Sequence, residues 1–125
     1  VKVVYTPDAN TRSVVELVTA FILDAKRPRV FVERALPLGE WKRVRHELVA
    51  PAQVGDLTLG IVGFGRVGSA VARVGAALNM RTVYCDLLEI PADKRSGAMP
   101  VELDELFRTA DVISVHVDGR AGNRD

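Results

Sequence analysis

The feature that most constrains the fold of this chain is a glycine-rich turn between an apolar run and an amphipathic segment. Residues 57–62 form a nearly continuous apolar run, typical of a strand that is buried on both faces of a parallel sheet. The sequence GFGRVG follows at residues 63–68 and has the G-x-G-x-x-G pattern. Apolar positions then recur at helical spacing, namely Val67, Ala70, Val71, Val74, Ala77 and Leu78. This order of strand, glycine turn and helix is typical of sites that bind the pyrophosphate of a dinucleotide.

The three glycines of the turn are predicted to have different tasks. Gly63 permits the tight turn, Gly65 lets the backbone approach a pyrophosphate, and Gly68 lets the helix pack closely on the strand. Free amide groups and the dipole at the helix N-terminus, where Val67 lies, favour the phosphate charge. Arg66 either reaches the pyrophosphate as well or is an exposed arginine without a partner. The alternative for the whole motif is a tight turn that binds no ligand.

An acidic residue is placed where the next strand ends. Residues 81–85 are predicted to form that strand, and Asp86 follows it, 18 residues after Gly68. Dinucleotide sites carry such an acid at a spacing of about 20 residues. Its carboxylate can accept a hydrogen bond from a ribose 2′-hydroxyl and would repel a 2′-phosphate. No arginine or lysine follows Asp86 at once, so the sequence predicts NAD rather than NADP as the cofactor.

The remaining pattern predicts a helix over residues 100–110 and a third strand over residues 112–117. The order β-α-β-α-β implies right-handed crossovers and a parallel sheet. The predicted fold class is therefore α/β, with the first half of a doubly wound Rossmann sheet. The strand at residues 57–62 is expected to be an exposed hydrophobic edge of this half sheet, which would favour self-association. The residues expected to face inward from the second helix are Leu103, Leu106 and Phe107.

Residues 1–56 are predicted to precede the nucleotide-binding half, which covers residues 57–125. Residues 1–5 are β-branched and aromatic enough for a short strand. A helix is predicted over residues 11–26, with Asn10 or Thr11 as its cap. This helix is apolar on more than one face, so it is expected to lie between its own domain and a second domain or partner subunit.

Residues 29–56 are predicted to form an irregular arm with a short helix near residues 30–35. Trp41 is interpreted as a packing anchor, and His46 is expected to be exposed to solvent. The basic residues of the arm are interpreted as a solvated face rather than an anion or nucleic-acid site; they are Lys42, Arg43 and Arg45.

Composition excludes some classes of partner. Seventeen basic and sixteen acidic residues leave a formal charge of +1, which gives no support to a nucleic-acid or membrane-surface partner. The longest strongly apolar stretch, residues 14–23, is well short of the roughly 20 residues of a membrane span. The lone Cys85 cannot form an internal disulfide and is interpreted as a small core residue. Because no signal-peptide pattern opens the chain, a cytoplasmic location is expected.

One histidine is placed where a ligand could bind. His116 ends the third predicted strand, on the carboxyl edge where ligands bind in such sheets, although it could equally be a satisfied edge histidine. The sequence shows no Ser-His-Asp or metal-ligand grouping.

Three segments resemble the D-isomer-specific 2-hydroxyacid dehydrogenases, which include phosphoglycerate and formate dehydrogenases. That family carries N-T-x-S-V-A-E where its chain crosses into the cofactor domain, and residues 10–17 are similar (NTRSVVEL). Its L-G-I-I-G-x-G-R-I-G run resembles residues 60–68 (GIVGFGRVG). Its L-D-E-L and A-D-V-I-S-L-H-V-P segments resemble residues 103–106 and 111–117 (LDEL and DVISVHV).

The resemblance implies roles for further residues. The segment around Gly39 and Trp41 would belong to the arm through which these enzymes dimerise. Asn10 would lie near the substrate carbonyl and the nicotinamide, while His116 and Val117 would line the cofactor groove. Two departures from the family pattern are Asp118 in place of proline and Asn79 in place of glycine; Asn79 is expected to take a left-handed conformation.

The resemblance also implies a function for the chain. It implies the NAD-binding portion of an oxidoreductase that transfers a hydride between NAD and a 2-hydroxy acid. The family's catalytic arginine, glutamate and histidine lie downstream of the matched segments, so this chain alone is expected to be inactive and to work as a homodimer or with a complementing chain. The alternatives are a non-catalytic dinucleotide-binding or protein-interaction module and, less in keeping with the matches, a nucleotide-binding transferase.

Overall fold

The computed structural model describes Lys2, Thr6 and residues 8–27, 29–49 and 52–119. Except for Lys2, the strand predicted over residues 1–5 lies outside the described residues. The helices are α1 (Thr11–Lys26), α2 (Leu38–Val49), α3 (Arg66–Ala77) and α4 (Leu103–Thr109). The strands are β1 (Thr58–Val62), β2 (Arg81–Cys85), β3 (Met99–Pro100) and β4 (Val112–Val115).

The four strands form one parallel sheet in the order β3-β2-β1-β4. The predicted α/β class is therefore confirmed, but the expectation that the strand at residues 57–62 is a sheet edge is wrong. The chain runs outward from β1 to β2 and β3, and α4 then returns it to the other side of β1. Because of this return, β1 has a neighbour on each side, and β3 and β4 are the edge strands within the described part of the chain. The reversal makes a topological switch point between β1 and β4, the place where such sheets bind ligands.

Helices cover the two faces of β1. A Cβ added to Gly75 of α3 would lie 2.9 Å from Leu59, whereas one added to Gly60 would lie 2.8 Å from Leu106 of α4. Since successive side chains of a strand point to opposite faces, α3 and α4 lie on opposite sides of the sheet. This explains the continuous apolar run of β1, where Leu59 and Ile61 are fully buried.

Helix α1 begins and ends at the predicted residues and packs on α3. Ile22 is buried in the main core, whereas Leu17 and Phe21 are 54% and 63% exposed. The prediction of a helix that is apolar on more than one face is thus confirmed, with one face packed and another uncovered within this chain. Asn10 occupies the N-cap position without a capping side-chain hydrogen bond.

The arm was predicted incorrectly. Residues 29–37 contain no helix, so the short helix near residues 30–35 is wrong, and α2 forms instead within the segment expected to be irregular. A six-residue segment without a cap is too short to form a stable helix by itself. Helix α2 starts after Pro37, whose carbonyl accepts a hydrogen bond from the Trp41 amide at 2.9 Å, and continues through good helix formers.

Helix α2 contains no buried residue, and Trp41 is 47% exposed. Trp41 is thus about half covered among the described residues, and its interpretation as a packing anchor stays a prediction. The other large apolar side chains exposed in this region are Val30, Phe31, Val32, Leu38 and Val49.

The second predicted helix is shorter than expected. Residues 99–100 pair with β2 as β3, so α4 begins at Leu103 rather than at residue 100. Only Leu106 is buried, whereas Leu103 and Phe107 are 40% and 54% exposed, because a helix of two turns contacts the sheet along a single line. Strand β4 likewise ends at Val115, two residues before the predicted end.

Candidate functional site

Both ends of the glycine turn are too crowded for a side chain. Gly63 has φ +90°, and its amide donates to the Cys85 carbonyl at 2.9 Å. A Cβ added there would lie 2.7 Å from the His116 carbonyl oxygen. Gly68, in the first turn of α3, is tighter still, since a Cβ would lie 2.1 Å from the carbonyl oxygen of Gly63. Both positions therefore require glycine for the fold itself.

Gly65 differs from the other two glycines. Its backbone is extended (φ −69°, ψ −157°), and a Cβ added there would meet nothing within 4 Å. The space above this residue is open, as expected where a ligand must approach the main chain closely.

The N-terminus of α3 faces the same space. No side chain caps this helix, and the first amides of a helix have no carbonyl partner within it. These amides and the positive end of the helix dipole favour a negatively charged ligand. Val67 lies in this first turn and packs against the core. The turn thus offers amide groups and open space together.

Arg66 has a partner in the N-terminal segment. Its Nε lies 3.2 Å from Oδ1 of Asp8, and both side chains are about 60% exposed. Arg66 is thus exposed, as one alternative held, but it is not without a partner. The ion pair links the segment that leads into α1 to the glycine turn.

Asp86 is tied directly to the turn. Its Oδ2 accepts a hydrogen bond from the Phe64 amide at 2.5 Å, and its Oδ1 accepts one from the Leu88 amide at 2.8 Å. A carboxylate has about four acceptor positions, so each oxygen of Asp86 retains capacity for a further donor such as a ribose hydroxyl. The sequence prediction placed this acid near the glycines; the structure joins it to them by a hydrogen bond.

An aromatic pair beneath the turn was not found by sequence reasoning. The rings of Phe64 and Tyr84 have centroids 4.1 Å apart, and both residues are 3% exposed. Phe64 occupies the first variable position of the glycine motif, so its side chain anchors the turn to β2. A large apolar residue at that position, followed by an aromatic residue in the next strand, was the available signal.

His116 and Val117 follow β4 and border the turn. The His116 amide donates to the Val62 carbonyl at 2.7 Å, and Val117 Cγ1 lies 2.9 Å from the position of a Cβ on Gly63. The imidazole Nε2 lies 2.8 Å from the Ser114 hydroxyl. Burial lowers the pKa of His116 below its usual 6.5, because the half-buried ring is harder to charge.

This pKa shift predicts a pH dependence of stability. The unfolded chain binds a proton at His116 more readily than the folded chain, so the free energy of unfolding should fall as pH drops through 6.5 towards the lowered pKa. Above 6.5 the contribution should be constant. Urea unfolding at pH 8 and pH 5.5 measures the change in the free energy of unfolding. His116→Gln should make the decrease at pH 5.5 smaller. His46→Gln, at an exposed position on α2, is the control; an equal reduction in both variants would contradict the assignment.

Two other candidates do not take part in this arrangement. Cys85 is partly buried at the end of β2, and its thiol pKa is raised first by burial and then by the carboxylates of Glu102 and Asp86. The thiol therefore stays protonated, in keeping with a structural role. His46 is exposed, as predicted, and so are the basic residues of the arm, Lys42, Arg43 and Arg45.

Other expectations concern the margins of the site. Asn10 is exposed at the start of α1, two residues after the Asp8 that pairs with Arg66. Asn79 has φ 59°, which confirms the left-handed end of the helix. In the part of the chain that the structure describes, no group of three or more His, Cys, Asp or Glu residues could hold a metal ion. None of the helices in the described ranges is long and apolar enough to cross a membrane.

Comparison with known proteins decides the family. Residues 19–125 match the family described as D-isomer specific 2-hydroxyacid dehydrogenase, NAD binding domain. The chain belongs to this family. Among its dehydrogenase relatives, the glyoxylate reductase of Aeropyrum pernix is 35% identical over 117 residues, and the hydroxypyruvate reductase of Thermotoga maritima is 34% identical over 120 residues.

These alignments cover 90% and 94% of this chain but only 35% and 37% of the two relatives. The chain thus spans about a third of the length of these dehydrogenases. Among solved structures, Rhodotorula graminis D-mandelate dehydrogenase has a TM-score of 0.75 at 29% identity, with 92% of this chain and 36% of that chain covered. The Aquifex aeolicus D-lactate dehydrogenase, solved with NAD and lactic acid, has a TM-score of 0.69 at 30% identity, with 90% and 33% covered.

Proposed function

We propose that this chain binds NAD at the carboxyl ends of β1, β2 and β4 and is the cofactor-binding part of a D-2-hydroxyacid dehydrogenase. The observation that carries the proposal is the hydrogen bond between Asp86 and the Phe64 amide. It places a carboxylate that can bind ribose beside a glycine turn that can bind pyrophosphate. The family match supports the same cofactor.

The residues present fit the cofactor. The open space over Gly65 and the uncapped amides of α3, at Arg66, Val67 and Gly68, would hold the pyrophosphate. Asp86 would accept from the ribose, and Gly63, His116 and Val117 would border the groove. When bound, NAD supplies the position that accepts or donates a hydride.

We further propose that the complete protein acts on a small 2-hydroxy acid or the matching 2-oxo acid. The names of the relatives support this class, since they include reductases of glyoxylate and hydroxypyruvate. The chain would contribute the cofactor, with Asn10 as a candidate substrate contact. We place residues 1–56 in a hinge and arm and residues 57–125 in the nucleotide-binding half of a cytoplasmic homodimer.

The dimer proposal is supported by uncovered apolar surface. Leu17 and Phe21 of α1 and Leu38 and Trp41 of α2 are all about half exposed or more. Large apolar residues that are exposed on two successive helices are typical of surfaces that a partner covers. A second copy of this chain would remove that surface from water.

The test is a fluorescence titration with NADH of the wild-type chain and of Asp86→Asn. Asparagine preserves the shape of the side chain and one oxygen acceptor but removes the charge. Because a hydrogen bond to a charged group contributes about 1.5–3 kcal/mol, NADH affinity should fall by about tenfold or more. Thermal unfolding of both proteins shows whether the substitution destabilises the turn.

Asp56→Asn is the matched control, because Asp56 is exposed and precedes β1 at the opposite end of the sheet. It should bind NADH as the wild type does. Saturable wild-type binding that Asp86→Asn leaves unchanged would refute the role of Asp86. Absence of wild-type binding would refute the proposed cofactor function of the chain.

A further inference from the structure

A second acidic residue lies close to the proposed ribose site. An open groove of about 470 Å³ extends from Asp86 towards β3 and the start of α4. Its charged lining residues are Asp86, Glu89, Arg95, Glu102 and Glu105, which gives four carboxylates against one guanidinium. The groove is thus negatively charged next to the carboxylate that is proposed to bind the ribose.

Strand register places Glu102 beside Asp86. Tyr84 of β2 pairs with Pro100 of β3, and the Val101 amide donates to the Tyr84 carbonyl at 2.9 Å. Pairing therefore continues past the end of β3. Extended by two residues, the same register would bring Glu102 opposite Asp86, where neighbouring strands are about 4.8 Å apart. Both residues also line the same groove.

The pKa of the Cys85 thiol also indicates that the carboxylates of Asp86 and Glu102 lie near each other. After burial, the carboxylates of Glu102 and then Asp86 raise the pKa of Cys85. Both negative charges therefore act on the residue that directly precedes Asp86. Arg95, whose Nε donates to the Ile90 carbonyl at 2.7 Å, brings one positive charge against four carboxylates, so the groove keeps a net negative charge.

We propose that Glu102 is a second determinant of cofactor specificity, which disfavours the 2′-phosphate of NADP while leaving NAD binding unaffected. This inference rests on the proposed function. Asp86 would act by direct contact with the 2′-position, whereas Glu102 would act through space from the N-cap position of α4. A phosphate that carries nearly two negative charges would experience the repulsion, and an uncharged 2′-hydroxyl would not.

The experiment compares NADH and NADPH titrations of the wild type, Glu102→Gln, Asp86→Asn and the double variant at about 10 mM ionic strength, where screening is weak. Asp86→Asn should raise NADPH affinity into a measurable range, because it removes the carboxylate proposed to contact the 2′-position. In that background, Glu102→Gln should tighten NADPH binding by about two- to fivefold, because the repulsion between one carboxylate and the phosphate acts through water and is weak. NADH affinity should change by less than about twofold, and the NADPH effect should shrink at about 0.5 M salt.

Glu33→Gln, at an exposed position of the arm, is the matched control for the loss of one negative charge. If Glu102→Gln and Glu33→Gln change NADPH affinity equally, Glu102 is not a determinant. If Glu102→Gln weakens NADH as much as it alters NADPH, the residue supports the groove rather than selecting the cofactor. If the wild type binds neither dinucleotide, the proposed function fails, and this inference fails with it.

Discussion

Replacing Gly68 with alanine is expected to lower the free energy of unfolding by about 3 kcal/mol or more. The added Cβ would lie 2.1 Å from the Gly63 carbonyl oxygen and 3.1 Å from Ile61. The first contact is with backbone in a turn already fixed at both ends, so the neighbour cannot rotate away as a side chain would. Relief requires α3 to move off β1, which would break the tight packing of the main core.

Thermal or urea unfolding followed by circular dichroism measures this effect, and the midpoint should fall by about 10 °C or more. Gly39→Ala is the matched control, because Gly39 also lies in a first helical turn but a Cβ there meets nothing within 4 Å. That variant should be as stable as the wild type or slightly more stable. A Gly68→Ala protein that melts within a few degrees of the wild type would show that the approach of α3 to β1 can relax.

Replacing Gly65 with alanine should have the opposite profile: a folded protein that no longer binds NADH. The backbone at Gly65 suits any residue, and the Cβ position is open. Alanine lowers the entropy of the unfolded chain but is a poorer N-cap than glycine, so the two small effects on stability nearly cancel. With a pyrophosphate against the main chain, the methyl group would occupy the space that the phosphate needs.

We expect NADH affinity to fall by about tenfold or more, measured by fluorescence titration, while the unfolding midpoint changes by less than about 3 °C. Gly68→Ala cannot give this separation because it disturbs the fold first. Unchanged NADH affinity in Gly65→Ala would mean that the cofactor does not approach the turn here. A large loss of stability would mean that the space above Gly65 is filled within the protein.

Sequence reasoning predicted the elements whose signals are local. The spacing of apolar residues predicted α1, with a cap at its start and Pro28 just past its end giving the bounds, and the β-branched and aromatic run gave both ends of β2. The glycine turn and Asp86 could be paired in advance because each lies directly after a strand, and parallel strands end at the same edge. Asn79 was identifiable because it is among the few residues that tolerate a left-handed conformation.

Features that depend on distant contacts could not be predicted in this way. The central position of β1 follows from the return of the chain through α4, which no local pattern encodes. Phe107 is exposed because the short helix α4 contacts the sheet along a single line. Strand β3 forms because Met99 pairs with Val83 on the free edge of β2. Helix α2, by contrast, had a local signal that was missed, because its apolar residues recur at helical spacing; they are Leu38, Trp41, Val44 and Leu48.

The double attachment of Asp86 to the Phe64 and Leu88 amides has a consequence for engineering. The carboxylate is already held in one orientation before any ligand arrives, so less rotamer entropy is lost on binding and affinity gains from preorganisation. A redesign for NADP that replaces Asp86 with a residue that lacks a side-chain acceptor would also release these two amides. Such a redesign must therefore supply a new acceptor for the Phe64 amide, or the turn will lose order together with its old specificity.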